Sequence, residues 1–393
     1  MNKDKHIPQG YKDSPLGIIP EDWEVKRLGD VCDISVGRDV QTDHFSEVQT
    51  DVYKYPVYSN TVEDKGLYGF YNYEEFTKGK VTVVGRGVGL GTSFARTNGF
   101  GAIGRLVVLT PNDNLSNHYL ENYINSKVHF FVESAAIPQL TGEQIASYKI
   151  AIPSLSEQIV IEKYIQLWDT AIEKQSELIE QLKLRKRVLM QQLLTGKKRL
   201  PGFKGKWKEV KLGSIFDERN ETNRCELPLL SITGDKGVIN QSDSDKRDIS
   251  NEDKSKYKRI CPGDIGYNTM RMWQGRSALS NIEGIVSPAY TIVTPRESIN
   301  VKFMSMLIQQ PRVVYDFWTH SQGLVSDTLN CKYPDFCQVK VRIPIKDEQT
   351  AIASVLVKAD KEIELAVERL TNLQSQKRGL MQQLLTGKKR IIL

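Results

Sequence analysis

Leu189–Arg199 reads LMQQLLTGKKR, and Leu380–Arg390 repeats the same eleven letters. An identity of that length within 393 residues marks an internal duplication. Working outward at the offset of 191 residues, Ile152-Pro153 meets Ile343-Pro344 and Glu157-Gln158 meets Glu348-Gln349. Asp169 meets Asp360, Ile172 meets Ile363, and Lys186-Arg187 meets Lys377-Arg378. No gap is needed from the Ile-Pro pair to the closing Arg. The chain is two copies of one unit, each ending in this segment.

The periodicity of the repeat gives its conformation. Ile161, Ile165, Trp168, Ile172, Gln175, Ile179, Leu182, Lys186, Leu189 and Leu193 follow one another in alternating steps of four and three. That is the spacing of a helical seam. The second copy reads Ile352, Leu356, Ala359, Ile363, Ala366, Leu370, Leu373, Lys377, Leu380 and Leu384. Its one charged position, Lys377, is equivalent to Lys186. A Pro, a Ser or Asp and then Glu-Gln open each helix. Gly196 and Gly387, each followed by a basic run, close them. About 35 residues make a rod of roughly 50 Å. Neither rod can bury its stripe alone, so the two are expected to pack on each other. Leu167, Leu178, Leu184 and Leu194 lie off the seam and leave apolar surface for partners.

A second repeat precedes each rod at a different offset. Trp23, Leu28 and Gly29 match Trp207, Leu212 and Gly213 at 184 residues, and Thr110-Pro111 matches Thr294-Pro295. The second copy therefore carries seven extra residues between Pro295 and Ile343. The expected division is a poorly ordered lead-in over 1–20, a globular unit over 21–151 and a rod over 152–200. A second globular unit over 201–342 and a second rod over 343–393 follow.

The globular units read as mostly β. Val31–Val36, Val52–Tyr58, Val81–Val84 and Leu106–Thr110 are short runs rich in β-branched or aromatic residues, separated by Gly, Asn and Asp. One helix is expected from Asn117 to Ser134. Its counterpart, Asn300 to Trp318, should kink or split at Pro311. The shared positions are mostly Gly, Pro, Leu and Trp. Tyr53–Tyr73, dense in tyrosine, has no clear twin in the charge-dense Asp235–Lys258. Equal scaffolds with unequal surfaces point to two related but distinct recognition tasks.

Composition excludes several classes. Hydrophobic residues at 39% and charged residues at 26% describe a folded chain of two or more domains. The net charge of +6 is modest, but eleven Lys or Arg lie between Lys183 and Lys211 against one acid, Glu209. Such a run is a solvated face or a contact for an acidic partner. Five scattered Cys without a CxxC pair and five His offer no zinc spacing and fit a reduced, cytoplasmic setting. The polar start, Met1–Gly10, lacks an apolar signal core. No apolar run approaches the roughly 18 residues of a membrane span.

A search for chemistry finds none. Gly85-Arg86-Gly87-Val88-Gly89-Leu90-Gly91 lacks the GxGxxG order, and the residues after it read as strand. No GxxxxGK[ST] loop exists, and no Pro-Pro for an adenine methyltransferase loop. Pro334-Asp335 with Gln338-Val339-Lys340 is too closely spaced for a nuclease site. No catalysis and no cofactor are expected of this chain.

What remains suits nucleic acid. Arg86 and Gly87 sit in a Gly-rich turn where backbone can approach a phosphate, with Arg96 on the strand that follows. The second unit offers Asn268, Thr269, Arg271, Gln274 and Arg276 in the corresponding turn. Asn, Gln and Arg pair bidentately with adenine and guanine edges. The alternative is a plain surface turn with Met272 and Trp273 in the core. Gln139 and Thr141, and Gln322 and Ser326, are second-rank candidates in polar loops after the globular helices.

Two β-rich units, each closed by a long helix with an Ile-Pro…Glu-Gln entry and a Leu-Leu-Thr-Gly-Lys-Lys-Arg exit, resemble the specificity subunits of type I restriction-modification systems. The similarity covers about Trp23 to Arg390. It implies an α+β architecture in which two target recognition domains each read half of a split duplex-DNA site. It implies an antiparallel pair of rods with a pseudo-two-fold repeat that sets the spacing between half-sites. It implies docking of two methylation subunits, which carry S-adenosylmethionine, and of ATP-driven restriction subunits, with no membrane. The family pattern supplies no residue-level base code. Rival readings are a coiled-coil scaffold that binds only proteins, a self-contained DNA enzyme, and a relative serving a type II-like methylase or nuclease.

Overall fold

The computed structural model describes residues 7–131, 139–234, 236–244, 250–323 and 328–391. The chain forms two compact units, and neither is contiguous in sequence. One holds residues 1–176 and 368–393, the other residues 177–367. Each contains one globular part and a segment of both rods.

In the first unit an antiparallel sheet runs in the order Cys32–Val36, Val107–Pro111, Lys80–Val83, Ser93–Arg96. Against it packs the helix Asn117–Lys127, through Tyr119, Leu120, Tyr123 and Ile124. A second sheet joins Gly101–Ala102, Tyr55–Tyr58, Leu67–Tyr71 and Phe45–Ser46, its first pair parallel. The strands Glu24–Arg27 and Lys149–Ile152 pair antiparallel and bring the start of the globular part to the start of the rod.

The second unit reproduces that scaffold. Its sheet runs Phe216–Glu218, Tyr290–Pro295, Ile265–Asn268, Ser277–Leu279. The pair Lys208–Lys211 with Lys340–Ile343 matches the one before the first rod. Every one of these strands sits at the 184- or 191-residue offset, within a residue or two, from its twin. The second, mixed sheet of the first unit is only partly reproduced: a parallel bridge from Leu229 to Ile285 stands where Tyr55–Tyr58 meets Gly101–Ala102, and the edge strand Phe45–Ser46 has no twin among the described residues. The remainder is two short ladders, Leu230–Ile232 with Val238–Asn240 and Lys258–Ile260 with Gly284–Val286, the second at the offset of the Phe76–Phe100 bridge. In the second unit the expected helix is split in two. Val301–Leu307 and Pro311–His320 are separate, with Pro311 at the start of the latter, where its missing N–H costs nothing.

The rods are the helices Leu155–Leu193 and Lys346–Leu384. All twenty seam positions are buried or half-buried. Within each unit the two rod segments run antiparallel. In the first unit Ile161 and Ile165 share a core with Leu384 and Leu385, and Lys377 pairs with Asp169. In the second unit Leu193 shares a core with Ile352 and Leu356, and Lys186 pairs with Asp360. The charged seam positions are thus one ion pair drawn twice.

The repeated segment explains itself here. After each rod the chain turns at Gly196 (φ +70°) or Gly387 (φ +66°), a left-handed conformation that glycine adopts without strain. Gly196 lies against the Trp207 ring and Gly387 against Pro20 and Trp23. The Arg that follows reaches a nearly buried Glu at the start of the other rod. Arg199 grips Glu348 through Nε and Nη2 at 2.5 and 2.6 Å, and Arg390 grips Glu157 at 2.7 and 2.9 Å. The neighbouring Gln158 and Gln349 accept the backbone N–H of Ser116 and Asn300 and donate to Pro153 and Pro344 carbonyls. The Arg that closes Leu-Leu-Thr-Gly-Lys-Lys-Arg in one copy grips the Glu of the other, while each Gln ties its rod to its own globular part, so both motifs appear twice.

Three expectations are corrected. Residues 11–20 are not a loose lead-in: Tyr11–Ser14 and Gly17–Pro20 form a hairpin, and the Tyr11 hydroxyl donates to the Gly387 carbonyl at 2.9 Å. Leu194 is no free surface, being 1% exposed in the second core, whereas Leu167, Leu178 and Leu184 are exposed. The helix from Asn117 ends at Lys127, with Val128 already extended; the reading to Ser134 runs into residues outside those described.

Candidate nucleic-acid interface

Both proposed turns connect the same two strands of the shared sheet. In the first unit the loop between Lys80–Val83 and Ser93–Arg96 closes on itself. Gly91 N–H donates to Val84 O, Val84 N–H to Thr92 O and Thr92 N–H to Gly89 O. Gly87, Gly89 and Gly91 all have φ between +84° and +89°. Arg86 and Gly87 are exposed at the tip, with open space around Gly87. Arg86 forms a β-bridge with Gln139, so those two candidates are neighbours. Asn60 lies over the other side of the loop. It accepts the Gly85 N–H at 2.8 Å and donates to the Gly104 carbonyl, while Val62 packs on Gly89.

In the second unit the equivalent turn carries the short helix Met272–Gln274, with Met272 fully buried and Trp273 donating to Met270 O at 3.0 Å. Gly275 (φ +74°) ends it and sends the chain into Ser277–Leu279. This turn borders a cavity of about 310 Å³ lined by Ile232, Thr233, Asn268, Arg271, Gln274, Arg276 and Tyr290. Four candidate side chains converge there, and no carboxylate joins them. Asn268 Oδ1 accepts the Met270 N–H at 3.0 Å, which fixes the amide. Tyr290 is pushed above its ordinary range by burial, a hydrogen bond with Asn268 opposing the shift. The arrangement offers amide and guanidinium groups to a polar, anionic or base-edge ligand.

Other candidates have internal duties. Arg96 is corrected to a core residue. It is 4% exposed, lies over the Tyr58 ring at 3.4 Å, and donates to Thr82 Oγ1 (2.9 Å) and Lys65 O (2.7 Å). Burial pushes its pKa down to about 10. Thr141 caps the helix Gly142–Ser147 with Gln144 as its reciprocal partner, a T-x-x-Q signal readable in the sequence. Thr269 donates through Oγ1 to Ala289 O at 3.1 Å and is absent from the cavity. Gln322 is exposed and donates to Asp335, which caps the helix Tyr333–Gln338. Ser326 lies outside the described residues.

Sequence reasoning missed a second concave surface of the first unit, about 580 Å³, that includes Arg38, Gln41, His44, Asn72 and Tyr73. Its signal was the tyrosine density of Tyr53–Tyr73. Among the described residues no group of His, Cys, Asp and Glu converges for a metal ion, and no helix is long and apolar enough to cross a membrane.

Comparison with known proteins adds to this geometry. The type I restriction modification DNA specificity domain matches residues 20–184. Over those residues the chain is similar to that family. The type I restriction enzyme MjaVIII specificity subunit of Methanocaldococcus jannaschii is 22% identical over 408 residues, covering 95% of this chain and 94% of that one. The S subunit of a type I restriction-modification system from M. genitalium shares the fold at a TM-score of 0.55 and 14% identity, over 92% and 96% of the two chains. A structure described under complex assembly and conformational transition of the type I system shares it at 0.60 and 15%, over 94% and 99%. The family's domain thus covers the first globular part, and the internal duplication carries the same scaffold into the second.

Proposed function

We propose that this chain is the DNA-reading component of a type I restriction-modification complex, with each globular part reading one half of a split duplex site. Residues 21–151 and 201–342 are the two readers on this view, and the rod segments between and after them are docking elements. One observation carries most weight: Asn268, Arg271, Gln274 and Arg276, chosen for base-pairing chemistry, line a single cavity free of carboxylates. Arg86, Gly87 and Gln139 are the corresponding candidates in the first unit, suited to a backbone phosphate because Asn60 closes the turn beside them.

Two methylation subunits binding S-adenosylmethionine would dock on the rods, and ATP-driven restriction subunits would join them. The chain itself would bind and orient DNA and catalyse nothing. The exposed Leu167, Leu178 and Leu184 on the first rod support partner docking.

The test is methylation mapped by sequencing on DNA exposed to the assembled complex. Asn268→Ala or Arg271→Ala is expected to relax one half of the methylated motif, each at a cost of about 1–3 kcal/mol in discrimination. The wild-type complex methylating without any defined motif would sink the reading.

A further inference from the structure

The concave surface of the first unit stands apart from the Gly-rich turn. We propose that Arg38, Gln41, His44, Asn72 and Tyr73 are the base-reading residues of the first unit. The proposal rests on the DNA-specificity reading and names the side chains that would decide one half-site. Nothing in the Gly-Arg-Gly stretch pointed to them.

The site is built on a rigid floor. Tyr71 is 1% exposed and stacks on Tyr73 with ring centroids 5.1 Å apart and planes 9° apart. His44 meets Tyr73 edge-on at 5.5 Å, and its Nδ1 lies 3.2 Å from Asn72 Oδ1. The Tyr71 hydroxyl accepts the Gln41 backbone N–H at 3.0 Å, which fixes where that side chain starts. Amide, imidazole and guanidinium groups are therefore presented from positions that packing has already set, as recognition demands.

The charge of the lining favours base edges over phosphates. Asp39 and Glu75 share the concavity with Arg38. Two carboxylates repel a phosphate, whereas an acid accepts from the cytosine amino group, and Arg, Asn and Gln serve guanine and adenine. The cavity of the second unit has no such acid, so the two units would read different bases.

The duplication supplies an internal control. The strands that flank this region recur in the second unit at a fixed offset, yet the edge strand Phe45–Ser46, which follows His44 and pairs with the strand ending beside Asn72, has no twin among the described residues. The second copy of the scaffold forms without that edge strand. A surface that only held the fold together would be expected in both copies. The Gly-rich turn, by contrast, is flanked by Asn60 and Val62 and presents Arg86 beside Gly87 and the apolar Val88, with no second base-pairing side chain at its tip.

The experiment uses the full chain assembled with the methylation subunits of its own system. Binding is measured to the wild-type motif and to duplexes with single base-pair substitutions in either half, over a range of salt. Arg38→Ala and Asn72→Ala are each expected to lower the preference for the correct first half-site by about five- to a hundred-fold. The second half-site and the salt slope should stay unchanged. Arg86→Ala should instead weaken binding to all sequences alike and reduce the salt slope by about one. Should an alanine variant melt early, Arg38→Lys, which loses the bidentate fork, or Asn72→Ser replaces it with the same expectation. An unchanged preference at the first half-site overturns the proposal and leaves the DNA reading intact. Uniform weakening with a smaller salt slope overturns it too, because the contacts would then be to phosphate. A wild-type complex with no sequence preference overturns both.

Discussion

Glu157 and Glu348 occupy the same place in two copies of one scaffold, and they keep different company. Glu157 accepts from Arg390 and also from the Trp23 indole at 3.1 Å, while Arg390 reaches on to Asp22 at 2.8 and 2.9 Å. Glu348 accepts from Arg199 alone among these groups, and Arg199 spends its other contact on the Gly205 carbonyl. The equivalent indole, Trp207 Nε1, is buried without a partner, its ring 5.8 Å from the Arg199 guanidinium. The Arg–Glu grip is what the two units share. The hydrogen bonds around it are local. The same holds on a larger scale, where the common sheet and rods recur and the concavities beside them are lined differently.

That contrast can be broken by paired substitutions. Arg199→Ala strands a Glu348 side chain that is only 2% exposed and should cost about 3 kcal/mol, the low end for a buried pair because the Arg is partly exposed. Arg390→Ala should cost about 1 kcal/mol less, since Trp23 still donates to Glu157. Chemical denaturation of both variants checks the order, and equal losses would erase the asymmetry.

The tryptophans sharpen it. Trp23→Phe loses a made hydrogen bond and should cost about 1–2 kcal/mol, whereas Trp207→Phe removes an unpaired N–H and should stay within about 0.5 kcal/mol of wild type. Thermal melts of the pair separate the two cases. The seam lysines should matter less still. Lys186→Met and Lys377→Met exchange partly exposed ion pairs for apolar packing and should each shift stability by no more than about 0.5 kcal/mol.

The smallest effect is acid-side. Arg390 holds the Asp22 carboxyl below its ordinary range, chiefly by hydrogen bonding. A lowered folded-state pKa stabilises above the unfolded value and is lost as pH falls through the folded one. Asp22→Asn should therefore leave stability near neutral pH only slightly reduced. The difference should vanish as the pH drops below the usual aspartate range. A difference that grew with acidification would contradict the pairing.

The sequence made the rods and the duplication plain because a heptad seam and a literal repeat are long signals. It could not show that the Arg closing each Leu-Leu-Thr-Gly-Lys-Lys-Arg grips the opposite copy's Glu, since that depends on antiparallel pairing. The strands were found within a few residues, but Val52–Tyr58 was read too early: the strand begins at Tyr55. Of the candidate contacts, Asn268, Arg271, Gln274 and Arg276 come together because one tight turn carries them all. Arg96 was misread because alternation along its strand turns it inward beneath Tyr58, and nothing in an isolated Arg marks that. His44 and Asn72 lie 28 residues apart and meet only through the mixed sheet, beyond the reach of local pattern.

The central claim is that the two units are separate readers on one scaffold. The most direct measurement replaces residues 23–150 with the first unit of another type I specificity subunit and maps the bases methylated by the assembled complex. One half of the motif should change to that of the donor while the other half stays as it was. Both halves changing, or neither, would contradict the account.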